Sequence, residues 1–153
     1  MSHVENESKE KYEALMLLEP SSPFTTYEVL DRAVEMMELK NANFITGMKE
    51  VGVASVFMGS LDPEGRMTSI IDKMATLSGL RRQDVVQEYT MNGGFYLIKW
   101  DYFKKVKHRY RDRLNSYGIV VPWQYSVEID EPSDLAYAEF LVKEKFIDMS
   151  FWR

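Results

Sequence analysis

Cysteine is absent from the chain, which excludes disulfides, a thiolate nucleophile and cysteine-ligated zinc. Histidine is scarce: only His3 and His108 occur, too little material for a histidine metal site or a Ser-His-Asp triad. No apolar run approaches the length that crosses a bilayer, and the opening Met1-Ser-His-Val-Glu-Asn-Glu-Ser-Lys-Glu10 is polar and acidic, unlike a signal peptide. A soluble, cytoplasmic protein is therefore expected. Positive charge is in deficit as well. Nineteen Lys and Arg against 24 Asp and Glu leave a formal net charge of -5, which argues against a general polyanion binder. A nucleotide-binding loop is missing its chemistry: Gly47 and Gly52 have the glycine spacing, but Val53 and Ala54 stand where Lys and Ser or Thr are required.

What is present suits one α/β domain. A chain of 153 residues with 45% apolar content closes a single core. Residues 1–11 read as a flexible N-terminus and 12–153 as the domain. Tyr12 to Leu18 ends in Ala-Leu-Met-Leu-Leu, an apolar run expected of a strand buried on both faces. Two prolines in Glu19-Pro20-Ser21-Ser22-Pro23 end it, and Thr25 or Thr26 then caps a helix with Val29, Leu30, Ala33, Val34 and Met37 at helical spacing. Asn43 to Met48 reads as a second strand. Ser55 to Ile71 reads as a hairpin closing around Asp62-Pro63-Glu64-Gly65, part of an arm over about 53–90. Ser69 to Gln87 reads as irregular, with a short helical candidate at Ile70 to Ser78; a strand is predicted at Gly94 to Ile98 and a helix from Asp101 to about Lys107. Gly118 to Val121 and Ser126 to Ile129 read as strands. A last helix begins at Pro132, behind acidic residues, and runs to about Phe146.

Three segments carry candidate chemistry. In Ser126-Val127-Glu128-Ile129-Asp130, side chains two apart on a strand share a face, so Glu128 and Asp130 would come together as oxygen ligands for magnesium; Asp130 equally suits a helix cap. The turn Glu19-Pro20-Ser21-Ser22-Pro23 follows a strand, where open α/β sheets place ligands, and its hydroxyls suit a sugar or phosphate or else satisfy the turn itself. Arg82-Gln83, with Asn92-Gly93-Gly94-Phe95-Tyr96, offers a cation, amides and a closely approachable backbone to an anionic ligand. A fourth stretch, Lys104 to Arg113, interleaves Lys, His and Arg with Tyr110 and reads as a solvated face; nucleic-acid binding is its alternative.

Taken together and in order, these segments resemble the cytidylyltransferases that activate sialic acid, the CMP-sialic acid synthetase family, over about Ala14 to Lys145. Leu17-Leu18-Glu19-Pro20-Ser21-Ser22-Pro23 resembles the family's Leu-Leu-Gln-Pro-Thr-Ser-Pro turn. Arg82-Gln83 through Asn92-Gly93-Gly94-Phe95-Tyr96 resembles its Arg-Gln, then Asn-Gly-x-x-Tyr run, and Glu128-Ile129-Asp130 through Leu135 with Ala138-Glu139 its Asp-Ile-Asp-x-x-x-Asp-Leu and Ala-Glu ending. The resemblance implies a three-layer, Rossmann-like nucleotidyltransferase sheet, a β-hairpin arm that makes a homodimer, and Mg2+, CTP and a nine-carbon sugar acid as ligands. By the same resemblance Asp130, with Glu128, ligates magnesium, and Glu19, Ser21, Ser22, Arg82, Gln83, Asn92 and Tyr96 line the sugar site. The chain departs from the pattern at Glu128 and Glu19, which replace aspartate and glutamine, and at Thr25, near where the family has arginine. It also lacks a lysine over Val53 to Phe57 and the N-terminal triphosphate-binding segment. A split or truncated transferase, complemented by a separate N-terminal chain, is the resulting expectation; an inactive sugar-acid-binding or dimerising module is the alternative.

Overall fold

The computed structural model describes residues 2–77 and 85–152. By its internal contacts the chain divides into two units, Met1–Lys49 with Met91–Arg153, and Glu50–Thr90. The first is a mixed α/β unit built on a four-stranded sheet in the order β1(Ala14–Leu18), β3(Tyr89–Lys99), β2(Phe44–Glu50), β4(Ser116–Val120). β1 runs antiparallel to β3 with Ala14 opposite Lys99 and Leu18 opposite Phe95, and β2 runs parallel to β4 with Phe44 opposite Ser116. Lys99 N–H donates to the Asn43 carbonyl while the Thr46 hydroxyl reaches the Phe95 carbonyl, so β3 and β2 are antiparallel. It follows that β1, β2 and β4 point the same way, with their carboxyl ends at one edge of the sheet.

Helix α2(Tyr27–Lys40) covers one face. Val29 and Ala33 lie four apart on the helix and pack with Ile45, Phe95, Leu97, Ile119 and Val121. Val34 belongs to the predicted apolar set, yet it is exposed, because the helix buries one stripe only. The helix stops at Asn41, whose left-handed backbone (φ 47°) is tolerated by its short polar side chain, and Ala42 N–H closes back onto the Met37 carbonyl. Helix α5(Pro132–Lys143) closes a second cluster of Phe24, Val127, Ala138, Leu141 and Ile147. Phe95 and Leu141 are fully buried, each contributing roughly 1.5–3 kcal/mol of apolar transfer free energy. Among the described residues no helix is long and apolar enough to cross a membrane.

Several expectations change. Near the N-terminus, Ser2–Ser8 forms a short helix, α1. β1 is not buried on both faces: it is an edge strand, and Leu17 and Leu18 are 42% and 51% exposed. Ser126 to Ile129 is not a strand; it follows a 3-10 turn at Trp123–Tyr125 and is irregular, bonded through Ile129 N–H to the Ser21 carbonyl. α4(Trp100–Val106) and the start of α5 fall where predicted.

Within Glu50–Thr90 the expected hairpin is replaced by a 3-10 turn, Ser55–Phe57, and α3(Thr68–Ala75). The turn at Asp62 does form, with its carboxylate accepting Glu64 and Arg66 N–H at 3.0 and 2.8 Å. Its flanks do not pair as strands because they satisfy each other through side chains instead: Ser69 Oγ donates to the Ser60 carbonyl and Lys73 Nζ to the Met58 carbonyl.

Candidate functional site at the carboxyl edge of the sheet

At the edge where β1, β2 and β4 end, the turn after β1, the first half of β3 and the segment after β4 are tied together by backbone bonds. Glu19 N–H donates to the Gly94 carbonyl (3.3 Å), Ile129 N–H to the Ser21 carbonyl (2.8 Å), and Ser22 N–H closes the turn onto the Glu19 carbonyl (3.1 Å). The turn Glu19 to Pro23, the Asn92 to Tyr96 part of the third segment, and Ser126 to Asp130 thus meet in one place.

A buried carboxamide holds them. Asn92 is 3% exposed; its Oδ1 accepts Gly94 N–H (3.2 Å) and its Nδ2 donates to Ser126 Oγ (3.4 Å). Ser126 is itself fastened to the Val121 and Pro122 carbonyls. Glycine is required where these chains approach. The Asn92 carboxamide occupies the space that a β-carbon on Gly47 would fill, and Glu128 does the same at Gly93, where φ is +69°. Ser22 is 7% exposed, and its hydroxyl is buried without a hydrogen-bond partner among the described residues.

The charged groups behave differently from the sequence reading. Glu128 is gripped by Lys49, Nζ to Oε1 at 2.7 Å, with both side chains about one-third exposed (32% each). Asp130 is exposed, and its backbone N–H, like that of Glu131, donates to the Asp134 carboxylate at the start of α5. Without a strand at 126–129, the period-two argument that set Glu128 beside Asp130 does not apply. Among the described residues no group of three or more Asp, Glu or His is placed to hold a metal ion.

Tyr96 lies opposite Leu17 in the β1–β3 ladder, on the sheet face away from α2. Its ring stacks with Phe44 (centroids 6.4 Å) and carries the Arg109 guanidinium 4.3 Å above it. Burial, above all, raises the Tyr96 phenol above its ordinary value; Tyr110 and the Glu19 carboxylate add to the rise, and Arg109 opposes it. The phenol therefore stays protonated at neutral pH.

Glu19, Ser21, Ser22, Asn92 and Glu128 are thus brought together, while Tyr96 lies on the strand that carries Asn92, facing away from α2. Arg82 and Gln83 lie outside the described residues. Sequence reading does not single out Lys49, whose pairing with Glu128 spans 79 residues of chain, and it counts Arg109 as one member of a solvated basic run. The one signal available for Lys49 was a cation at the carboxyl end of a central strand.

No protein-family model matches the chain, and no curated protein matches it.

Proposed function

We propose that this chain is a cytidylyltransferase-like protein of the kind that activates nine-carbon, sialic acid-like sugar acids. In that reaction the anomeric hydroxyl of the sugar attacks the α-phosphorus of CTP and pyrophosphate leaves, a displacement helped chiefly by positioning and charge neutralisation. The observation that carries the reading is the pair of backbone bonds, Glu19 to Gly94 and Ile129 to Ser21, which joins three sequence segments that each resemble the family's into one polar edge. Ser22, whose hydroxyl has no hydrogen-bond partner among the described residues, and the protonated Tyr96 are suited to hydrogen-bond a polyhydroxylated ligand. A three-layer nucleotidyltransferase fold and assembly as a homodimer belong to the same proposal. The Glu50–Thr90 unit supports the second part, since Met58, Leu61, Met67, Ile71 and Met74 are all exposed on it.

Magnesium enters through Asp130. Glu128 does not fit as its companion ligand in this arrangement, because the Lys49 cation sits 2.7 Å from its carboxylate. The same ion pair favours a second reading, a sugar-acid-binding module without turnover.

The test pairs two assays on the purified chain: calorimetric titration with N-acetylneuraminate, and pyrophosphate release with Mg2+, CTP and a panel of sugar acids. Sugar- and CTP-dependent release establishes the transferase. Binding without release, not restored by a co-expressed N-terminal half of the family, selects the binding module. Absence of binding in a well-folded sample rejects both.

A further inference from the structure

The sheet face opposite α2 holds an open cavity of about 440 Å3 that the transferase reading does not use. Its floor is apolar and is set by strand register. Leu15 faces Ile98 and Leu17 faces Tyr96 across the β1–β3 pair, so these side chains share one face, and Phe103 of α4 walls them at one side. Ile98 is 4% exposed, whereas Leu17 is 42% exposed.

The rim has the opposite character. Lys107, His108 and Arg109 line the cavity, and among the described residues no carboxylate does. Lys107 is left-handed (φ 50°) and ends α4, which turns the following residues back over the sheet. Tyr110 N–H donates to His108 Nδ1 (3.0 Å), which fixes the orientation of the ring. Arg109 is half-buried, its guanidinium carbon 4.3 Å from the Tyr96 ring centroid and 5.0 Å from that of Tyr110. Among the described residues no carboxylate forms an ion pair with it. The loop that carries it is anchored: Asp112 accepts from Asn43 Nδ2 at 2.6 Å and from the backbone of Leu114 and Asn115. A guanidinium held over two aromatic rings, without a carboxylate partner among the described residues, loses little freedom on meeting an anion.

From this we infer that the cavity is a binding site for a small carboxylate with an apolar body, the body lying on Leu15, Leu17 and Ile98 and the carboxylate meeting Arg109. The volume falls within the range of small-ligand sites, and an apolar floor with a few convergent polar groups is their usual construction. The ligand differs in kind from a sugar acid, which is polar along its whole length, so the inference does not depend on the transferase proposal. It also gives the basic, aromatic stretch from Lys104 to Arg113 a role other than solvation or nucleic-acid binding.

The experiment is a titration of the full chain, by calorimetry and by NMR, with decanoate and with its uncharged counterpart decanol, below their aggregation limits. Decanoate is expected to bind about tenfold tighter than decanol, the scale of one charge-assisted contact. Arg109→Gln erases that preference, whereas Arg111→Gln, outside the cavity, keeps it. Leu17→Gln, at an exposed floor position, weakens both ligands. Equal affinity for the two ligands, unchanged decanoate binding in Arg109→Gln, or no saturable binding overturns the site. If Arg109→Gln loses its near-ultraviolet dichroism, Leu17→Gln carries the test alone, and unchanged decanoate affinity there overturns the inference.

Discussion

Lys49 Nζ lies 2.7 Å from Glu128 Oε1, joining the end of β2 to the segment that enters α5 across 79 residues of chain. Both side chains are about one-third exposed, so water screens the pair and its contribution is of surface size, about 0–1 kcal/mol. Lys49→Met is accordingly expected to lower stability by no more than about 1 kcal/mol in urea unfolding. A loss of several kcal/mol would mean that the pair behaves as buried, with Glu128 left as an uncompensated charge.

The close approach of Gly47 to Asn92 leaves no room for a methyl group. Gly47→Ala is expected to cost about 1–3 kcal/mol, because the carboxamide it meets is itself held by Gly94 and Ser126 and has nowhere to move. Pairing it with Asn92→Ala in a double-mutant cycle tests the cause: a strongly non-additive pair identifies the steric contact, whereas simple additivity refutes it.

Asp112 is the group whose titration should be visible in stability. Hydrogen bonds from Asn43 first, then from the Asn115 side chain and backbone, lower its carboxyl from 3.8 to about 2. A depressed folded-state value means that the unfolded state takes up the proton first. The stabilisation is therefore complete above about pH 4 and is lost as pH falls towards 2. Urea midpoints measured from pH 5 to pH 2 should fall more steeply for the parent protein than for Asp112→Asn. Parallel curves would show that these bonds do not distinguish the ionised group.

Ser22 separates a structural from a ligand-binding role cleanly. Its hydroxyl is buried and unpartnered among the described residues, so Ser22→Ala removes a desolvated group and is expected to leave thermal stability unchanged or slightly higher. Under the transferase-like proposal the same variant weakens sugar-acid binding. A marked drop in melting temperature would point instead to a hydrogen bond that holds the turn.

Much of the element order was legible from local chemistry. The prolines at 20 and 23 end β1, and the acid-proline-acid run of Glu131, Pro132 and Asp134 starts α5. These signals act within a few residues, and a linear reading captures them. The failures share a cause. Val127 and Ile129 have strand character, but Ile129 N–H finds the Ser21 carbonyl rather than a sheet partner, and no local pattern announces a bond across 108 residues of chain. Likewise, Asp62 makes its turn while the flanking chain goes to Ser55–Phe57 and α3.

The sequence by itself determined the α/β character, the acidic balance, the absence of thiol chemistry and the three polar segments, because composition and short-range spacing suffice for those. Only the tertiary structure decided that β1 is an exposed edge, that Glu128 belongs to Lys49, and that Arg109 lies on Tyr96 above an apolar floor. Strand order, ion-pair partners and cavity walls are set by contacts between residues far apart in the chain. Their energies depend on packing and burial that no local window contains.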